Sequence, residues 1–430
     1  METRSWLRWV ALHAIPRFYL KAQARKGAPL SQVLMTEQGR VDPRPFVEQI
    51  RGHGPLVHTS LAWISADHRI CRDILRNTSF GVANVDAITP DGLVKRFVQA
   101  TDLKLAANPV EPPSMLMVDP PDHDRYRKPV ARTFTPRAIG KLRDRVIDVT
   151  DGLLDDLDGR SRADLVDTFA SRLPVDIIGT ILGMPEEMRG AALQWGDSGA
   201  ALLDLGIPWK AFRRAIVDIR AADAFLTGHI EELRHNPTDD IFSRLVSSGD
   251  LTDYELRATA ALLLGAGFET TVNLIGNGIA LLLEHDDQRE LLRADPTLWA
   301  SPVQQTARVA LADVEVGGET IRAGNIVVLL LGGANYDPEV FADPFTFDVT
   351  RANAREHLSF SNGIHACLGA SLARMEGEIA LRSLFERFPD LRLDGKPARR
   401  DQVILRGYET MPVALGKSVA ENPSLSVSSG

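Results

Sequence analysis

Cysteine is scarce in this chain, which has two in 430 residues. Cys71 and Cys367 lie about 300 residues apart, so they form no disulfide framework of the kind that holds small secreted domains together. They also lack the close spacing of zinc ligands. A low cysteine content without disulfides is typical of a reducing compartment, and the sequence therefore predicts a cytoplasmic location.

The chain has no excess of positive charge. It carries 49 Lys and Arg against 57 Asp and Glu, for a net charge of −8 and a pI of about 5.7. Because binding to nucleic acid phosphates requires a basic surface, this balance argues against nucleic acid as the main partner.

A clean apolar run is also missing from the N-terminus, "METRSWLRWVALHAIPRFYLKAQARKG". Arg4, Arg8, His13 and Arg17 interrupt it, so the segment predicts neither a signal peptide nor a membrane span, which needs about 20 mostly apolar residues. Two interpretations remain open. The segment is a basic amphipathic helix in weak contact with a membrane surface, or a helix packed on its own protein.

Most of the chain carries the three- and four-residue apolar spacing of amphipathic helices. Residues 81–114 have several prolines and no sustained period, and we interpret them as a long mobile loop. A small sheet is expected after Pro302, where β-branched residues alternate between glycine turns. Before the central part of the chain the pattern predicts helices at 122–134, 136–158, 164–182, 185–204 and 208–235.

The strongest predicted helix begins after Thr252, which forms a capping box with Glu255. It continues through His285 and is apolar on nearly all sides, so we expect it to cross the middle of the fold. Glu269 and Asn273 lie at its centre and argue against a membrane span.

These patterns predict a mainly α protein with small β-sheets. The last long helix is expected directly after Cys367. The predicted organisation is an N-terminal amphipathic helix and lead-in at 1–40, a single large domain at 41–416 and a disordered tail at 417–430.

The stretch "FSNGIHACLG" places Cys367 at a helix start, where free N–H groups and the helix dipole favour a thiolate. Gly363 and Gly369 would let the backbone approach something flat and bulky, and Phe360 would shield the sulfur from water. A lone thiolate suits an axial ligand of haem iron better than a zinc site. A buried, inert cysteine is the alternative, and the cysteine alone does not decide between them.

The pattern Phe360-x-x-Gly363-x-His365-x-Cys367-x-Gly369 resembles the haem-binding loop of cytochrome P450. The resemblance extends from about residue 42 to 415 and is greatest to the soluble actinobacterial branch numbered family 140. It implies the cytochrome P450 fold and a haem b cofactor (iron protoporphyrin IX) contacted by these five residues. Cys367 would be the metal ligand, whose electron donation favours cleavage of the O–O bond.

A second match lies in the central helix, where the sequence from Ala266 to Thr271 is similar to the oxygen-binding motif of the family. Ala266 would border the cofactor, and Gly267 would open space on one face. Thr270 would turn its hydroxyl onto the Ala266 carbonyl, and Glu269 and Thr270 would relay protons as the catalytic residues. The alternative is a core helix with one stray acid.

The third match is "PPDHDRYRK", in which His123 and Arg127 share one face of a predicted helix. The resemblance implies that both residues, together with Arg308 and His365, bind the haem propionates, for which charge-assisted bonds are well suited. Taken singly, each is equally well explained as a surface charge.

The resemblance breaks at a Glu-x-x-Arg helix that the family carries before the small sheet. The helix is expected after Trp299, but Ala300, Ser301 and Pro302 follow directly, so about ten residues are lacking; Glu290 to Arg293 spell the motif too early in the chain. The partners expected for Arg351 are therefore missing. In addition, Ser361 stands where glycine is usual, and Tyr336 replaces a usual arginine.

The resemblance implies a haem-thiolate monooxygenase that inserts one oxygen atom of O2 into an apolar small molecule. Electrons would come from NAD(P)H through a ferredoxin and its reductase. Two alternatives stay open, a non-catalytic or degraded haem or small-molecule binder, because of the missing helix, and a peroxide-driven enzyme. The implied pocket is formed by 81–108, Leu263, Phe268, Val303, Gln304 and 408–411.

Overall fold

The computed structural model describes residues 2–89, 91–294 and 306–419. These residues form mainly helices, which confirms the predicted fold class. The helices are α1 (Glu2–Trp9), α2 (Ile15–Arg25), α3 (Pro29–Met35), α4 (Glu37–Val41), α5 (Arg44–Arg51), α6 (His68–Arg76), α7 (Val85–Ile88), α8 (Leu93–Ala100), α9 (Asp122–Thr133), α10 (Pro136–Gly140), α11 (Arg143–Asp155), α12 (Arg172–Ile181), α13 (Arg189–Ala201), α14 (Trp209–His235), α15 (Ile241–Ser248), α16 (Asp253–Glu284), α17 (Asp286–Ala294), α18 (Leu331–Ala334) and α19 (Ala370–Arg387).

The strands are short and form four small sheets within the described residues. The strands are β1 (Val57–His58), β2 (Trp63–Ser65), β3 (Phe80–Val82), β4 (Arg162–Asp164), β5 (Thr306–Ala310), β6 (Val314–Val316), β7 (Glu319–Ile321), β8 (Ile326–Leu329), β9 (Arg392–Leu393), β10 (Ala398–Arg399), β11 (Tyr408–Thr410) and β12 (Pro412–Ala414). One sheet has five strands in the order β1-β2-β8-β5-β3, and the others pair β4-β12-β9, β6-β7 and β10-β11. The β-structure predicted after Pro302 is confirmed, with β5 and β8 in the five-stranded sheet and β6 paired with β7.

Helix α16 is the predicted central helix, and its capping box is confirmed. The Thr252 side chain accepts the Glu255 N–H, and the Glu255 carboxylate accepts the Thr252 N–H. Its length and composition would suffice to cross a membrane, but 67% of its most apolar stretch is buried inside the protein. It packs against α12, α13, α14 and α19, so it is a core helix.

Helices α16 and α19 cross closely because each places a glycine against a leucine of the other. A Cβ on Gly278 would lie 2.7 Å from a methyl carbon of Leu381, and a Cβ on Gly377 would lie 3.0 Å from one of Leu274. Any larger residue at Gly278 would force the helices apart or displace Leu381. The two contacts advance in the same direction along both helices, which fixes their relative register.

Two of the five helices predicted before α16 are confirmed at their bounds, whereas the helix predicted at 136–158 is divided into α10 and α11, and the one predicted at 185–204 begins with a 3-10 turn at Glu186–Met188. Helices α9 and α14 match the predictions at 122–134 and 208–235. A π-helical turn at Val166–Ala170 interrupts the helix predicted at 164–182. The loop prediction for 81–114 is wrong in part, since α7 and α8 lie there and are too short to show a sustained period.

At the chain ends, the N-terminal segment contacts the rest of the protein. Arg8 is buried and forms an ion pair with Glu111, and the Trp9 indole N–H donates to the Ile207 carbonyl at 2.9 Å. Of the predicted disordered tail, residues 420–430 lie outside the described residues. The Val419 N–H donates to the Arg387 carbonyl at 2.9 Å.

One buried carboxyl group in α19 has no balancing charge. Glu376 is 1% exposed, and its Oε2 atom has no hydrogen-bond partner among the described residues. Burial raises the pKa of Glu376 to about 8. The folded protein therefore binds a proton here between the unfolded-state pKa, near 4.3, and pH 8, and its stability falls as the pH rises through that window.

We expect Glu376→Gln to remove this pH dependence. The free energy of unfolding of the wild type, minus that of the variant, should fall by up to about 1.4 kcal/mol per pH unit between pH 5 and 8. Denaturant titrations at several pH values measure it. The matched control is Glu378→Gln in the same helix, where the carboxylate is partly exposed and near Arg143. Equal slopes for all three proteins would show that Glu376 is not buried as described.

Candidate functional site

The loop before α19 is a compact turn that presents Cys367. The Cys367 N–H donates to the Phe360 carbonyl at 2.8 Å, and Gly363–His365 form a single 3-10 turn. Ser361 and Gly363 both have positive φ, +60° and +70°. The family's usual glycine at position 361 thus has a backbone reason, and serine there costs about 1 kcal/mol.

The two glycines of the loop have different surroundings. A Cβ on Gly363 would lie 2.1 Å from the Leu75 carbonyl oxygen of α6, so the required close approach is to another part of the protein. Gly369 has no atom within 4 Å of its Cβ position. The expectation that both glycines make room for a cofactor is therefore supported by the geometry of Gly369, whereas Gly363 is needed for the turn itself.

The groups around Cys367 shift the pKa of its thiol in opposite directions. The residue is exposed, yet desolvation by the surrounding protein raises the pKa of its thiol. The Gly369 N–H and the guanidinium groups of Arg127 and Arg374 lower that pKa. Because the thiolate is the form that binds metals, these three groups stabilise the ligand state.

Two arginines hold this loop from outside. Arg127 of α9 donates to the Ala366 carbonyl, next to Cys367, and the Arg374 guanidinium lies 4.4 Å from the centre of the Phe360 ring. Phe360 is thus fixed by a cation–π contact. Sequence reasoning missed Arg374, although its spacing of seven residues from Cys367, two helical turns, was a usable signal.

Two histidine rings meet beside the loop. The ring centres of His123 and His365 are 4.3 Å apart. Burial lowers the pKa of His123, and the hydrogen bond to Asp124 raises it by a smaller amount. The Nε2 atoms of both rings are buried and have no hydrogen-bond partner among the described residues.

A buried arginine stands near these rings. Arg308 is 7% exposed and donates to Thr306 Oγ1 and the Ala307 carbonyl, both at 2.9 Å. It has no carboxylate within 4 Å among the described residues, and burial lowers its pKa to about 10. Asp119 links the two features, since it lies 3.9 Å from His365 and acts electrostatically on Arg308.

The donor set fits a cofactor that brings negative charge. An unpaired buried cation is costly, and buried polar atoms normally have partners. The orphaned Nε2 atoms of His123 and His365 and the uncompensated Arg308 would be satisfied by carboxylates. The propionates of haem are such groups, so the residues present fit the cofactor that the sequence predicts.

The oxygen-motif segment of α16 has one accessible face. Ala266 is exposed, whereas Phe268 and Glu269, two and three residues later, are buried. The Thr270 hydroxyl donates to the Ala266 carbonyl at 2.8 Å, as the sequence predicts. Gly267 differs from the expectation, because its Cβ position lies 2.8 Å from Ile178 of α12 and opens no space.

Glu269 is held in a buried ion pair. Its Oε2 accepts from Arg400 Nη1 at 2.5 Å, and the same nitrogen lies 3.3 Å from Asp197 of α13. Burial raises the pKa of Glu269, and Arg400 opposes that shift. Sequence reasoning missed Arg400, which is 131 residues from Glu269 and carries no periodic signal.

The structure describes some of the residues that the resemblance assigns to the substrate pocket. Phe268 is fully buried and packs against Gly196 of α13, where a Cβ would lie 2.2 Å from its ring, so it belongs to the core. The Tyr408 carbonyl accepts from Arg400 Nε at 3.2 Å, which joins that segment to the acid of α16. Val303 and Gln304 lie outside the described residues.

The gap after Trp299, where the Glu-x-x-Arg helix was expected, also lies outside the described residues. Glu290 lies in α17, directly after α16, consistent with its interpretation as a decoy. Arg351, for which an unpaired charge was expected, has partners. It donates to the carbonyl groups of Ala342, Asp343 and Thr346, so its charge is accommodated by the backbone.

Comparison with known proteins agrees with this geometry. The profile of the family described as "Cytochrome P450" matches residues 289–403. A relative from Mycobacterium tuberculosis, described as "Putative cytochrome P450 140", is 44% identical over 428 residues, covering 95% of this chain and 97% of the relative. This chain belongs to the cytochrome P450 family.

This P450 is similar to further bacterial members. It is 41% identical over 316 residues to 6-deoxyerythronolide B hydroxylase of Saccharopolyspora erythraea, covering 69% of this chain and 76% of that one. The structure of P450BioI in complex with a hexadec-9Z-enoic acid ligated acyl carrier protein superposes with a TM-score of 0.81 at 33% identity, covering 88% of this chain and all of that one. Ligand-free CYP164A2 of Mycobacterium smegmatis gives 0.79 at 34% identity, covering 90% and 99%.

The predicted family, fold and enzyme class are confirmed by these comparisons. The protein is a haem-dependent monooxygenase, an oxidoreductase. Redox partners and small-molecule substrates are general features of the family. The comparisons do not favour the alternative of a non-catalytic binder.

The contrast between the two loop glycines is testable by alanine substitution. We expect Gly363→Ala to lower the free energy of unfolding of the haem-free protein by about 2 kcal/mol or more, because of the Leu75 contact and the positive φ. Gly369→Ala, the matched control, should change it by less than about 0.5 kcal/mol but reduce haem content. Denaturant unfolding and haem assay measure both. An undisturbed Gly363→Ala protein would contradict the described turn.

Proposed function

We propose that Cys367 is the thiolate ligand of haem b in this P450, with Phe360, Gly363, His365 and Gly369 forming the surrounding loop. The observation that supports this most is the accessible sulfur at the start of α19, close to three groups that favour its anion. Haem, when bound, supplies the activation of dioxygen. The chain's own residues hold the cofactor, orient the substrate and move protons.

The propionates are proposed to bind His123, His365 and Arg308, with Arg127 holding the loop and contributing charge. The supporting observation is that the Nε2 atoms of His123 and His365 are buried without a hydrogen-bond partner, and that Arg308 has no carboxylate within 4 Å, among the described residues. Ala266 is proposed to face the cofactor, because it is the one exposed position of α16 between Glu255 and Leu283.

We propose that electrons arrive from NAD(P)H through a ferredoxin and its reductase. The chain has two cysteines, fewer than the four thiolates that usually hold an iron–sulfur cluster, which supports an electron supply from separate carriers. The proposed location is the cytoplasm, where such carriers and reduced cysteines occur together.

The proposed reaction inserts one oxygen atom of O2 into an apolar small molecule and reduces the other to water. The apolar class is supported by the ligand in the P450BioI structure, which is a fatty acyl group on its carrier protein. That ligand is a property of P450BioI, and this P450 shares its fold at 33% identity.

Glu269 and Thr270 are proposed to deliver protons. The Thr270 hydroxyl donates its hydrogen to the Ala266 carbonyl, so the Thr270 oxygen can still accept a hydrogen bond from a proton donor. Glu269 is 1% exposed but joined through Arg400 to Asp197, whose side chain is 43% exposed. This chain of polar groups connects the buried acid to a partly exposed carboxylate.

We expect Thr270→Ala to retain haem but to divert electrons to peroxide. The product formed per NADPH consumed should fall at least fivefold, because protons would no longer reach the productive position. The assay reconstitutes the P450 with ferredoxin, its reductase, NADPH and a converted apolar substrate. The control is Thr271→Ala, which removes a hydroxyl bonded to the Gly267 carbonyl on another face of α16.

An unchanged ratio of product to NADPH in Thr270→Ala would contradict the relay. Turnover with peroxide alone, at the full rate and without ferredoxin, would favour the peroxide-driven enzyme over the proposed electron supply. A protein that binds haem and ligand but consumes no oxygen under any of these conditions would support a non-catalytic binder.

A further inference from the structure

The N-terminal helix α2 is apolar on two opposite faces. Leu20 and Ala24 are buried against the protein. Ile15 and Phe18 lie on the opposite side of the helix and are 63% and 78% exposed. Exposed apolar side chains that share one face of a helix indicate a binding surface rather than scattered surface residues.

A neighbouring segment extends this surface. The Tyr19 hydroxyl lies 3.1 Å from Ser60 Oγ, so α2 adjoins the turn that carries the exposed Leu61. We call the set Ile15, Phe18, Tyr19 and Leu61 the apolar face.

An apolar cleft of about 200 Å³ opens beside this face. It lies between α2, α3, α5 and the β1–β2 hairpin, and Leu30, Ile50 and Ile64 form its apolar wall. Leu61 lines the cleft as well as the apolar face. An acyl chain lying against the face would therefore find an apolar cavity next to it.

Positive charge is concentrated around the apolar face. The first 26 residues contain six Lys and Arg and one acidic residue, whereas the whole chain has a net charge of −8. Lys21, Arg25 and Lys26 are exposed and have no carboxylate within 4 Å among the described residues. A helix that combines exposed aromatic side chains with uncompensated cations is typical of contact with an anionic interface.

The charge distribution distinguishes a lipid surface from a second copy of the chain. A symmetric dimer would place the same patch on both subunits and bring Lys21, Arg25 and Lys26 towards their own equivalents. Anionic lipid headgroups complement these cations instead, while the acyl region accommodates Phe18 and Ile15.

We propose that the apolar face docks on an anionic lipid surface. Phe18 and Ile15 enter the boundary between headgroups and acyl chains, and Lys21, Arg25 and Lys26 contact lipid phosphates. Helix α2 then has two roles at once, because its inner face packs on the protein through Leu20 and Ala24 while its outer face binds lipid. This inference is independent of the catalytic assignment.

The test is co-sedimentation of the full chain with vesicles. We expect binding to vesicles of equal parts phosphatidylglycerol and phosphatidylcholine, at least tenfold tighter than to phosphatidylcholine alone, and weakened by salt. Replacing both Ile15→Ser and Phe18→Ser should reduce the partition coefficient at least tenfold. The matched control replaces Leu311→Ser and Phe345→Ser, which are similarly exposed and lie outside the apolar face, and should bind like the wild type.

A charge variant and a folding check accompany the test. Lys21→Glu with Arg25→Glu should abolish the preference for phosphatidylglycerol, and all variants should retain the wild-type thermal midpoint, because the replaced side chains are exposed. Equal binding of the wild type to both kinds of vesicle, or unchanged binding of the serine variant, would overturn the proposal. So would a dimer in size-exclusion chromatography that the serine variant no longer forms.

Discussion

The crossing of α16 and α19 sets the geometry on which the site depends. Each helix contributes a glycine that receives a leucine of the other, and the contacts Leu274–Gly377 and Gly278–Leu381 run in the same direction along both. The oxygen-motif residues 266–270 lie one to two turns before Leu274. Cys367 lies ten residues before Gly377, about 15 Å at helical rise. Both motifs therefore extend from the same side of one rigid contact.

The site is rich in positively charged side chains, although the chain as a whole carries a net negative charge. The chain is acidic, yet the described site brings together Arg127, Arg308, Arg374 and two histidines. Arg127 and Arg374 favour the sulfur anion. Arg308 has no carboxylate within 4 Å, and the Nε2 atoms of His123 and His365 have no hydrogen-bond partner, among the described residues. On the proposed assignment, the carboxylates of the cofactor would compensate the buried charge of Arg308.

Local sequence patterns predicted the parts of this arrangement that local physics determines. The capping box of Thr252, the hydroxyl bond of Thr270 and the position of Cys367 before α19 all depend on residues within one or two turns. Contacts between distant segments were not predictable in this way. The Arg400–Glu269 pair spans 131 residues, the His123–His365 contact 242, and the contact of Gly363 with Leu75 288. No period or propensity encodes these pairings, so the sequence did not reveal that Gly363 also packs against Leu75 of α6.

The central claim is that Cys367, and not Cys71, provides the ligand. Burial raises the pKa of the Cys71 thiol to about 12, and its sulfur donates to the Ser65 carbonyl, so it serves as an internal control. The most direct measurement is the carbon monoxide difference spectrum of the reduced, haem-loaded protein with serine at each cysteine in turn. The account predicts a strongly red-shifted Soret band in the wild type and in Cys71→Ser, and its loss in Cys367→Ser. Retention of that band in Cys367→Ser would contradict the account.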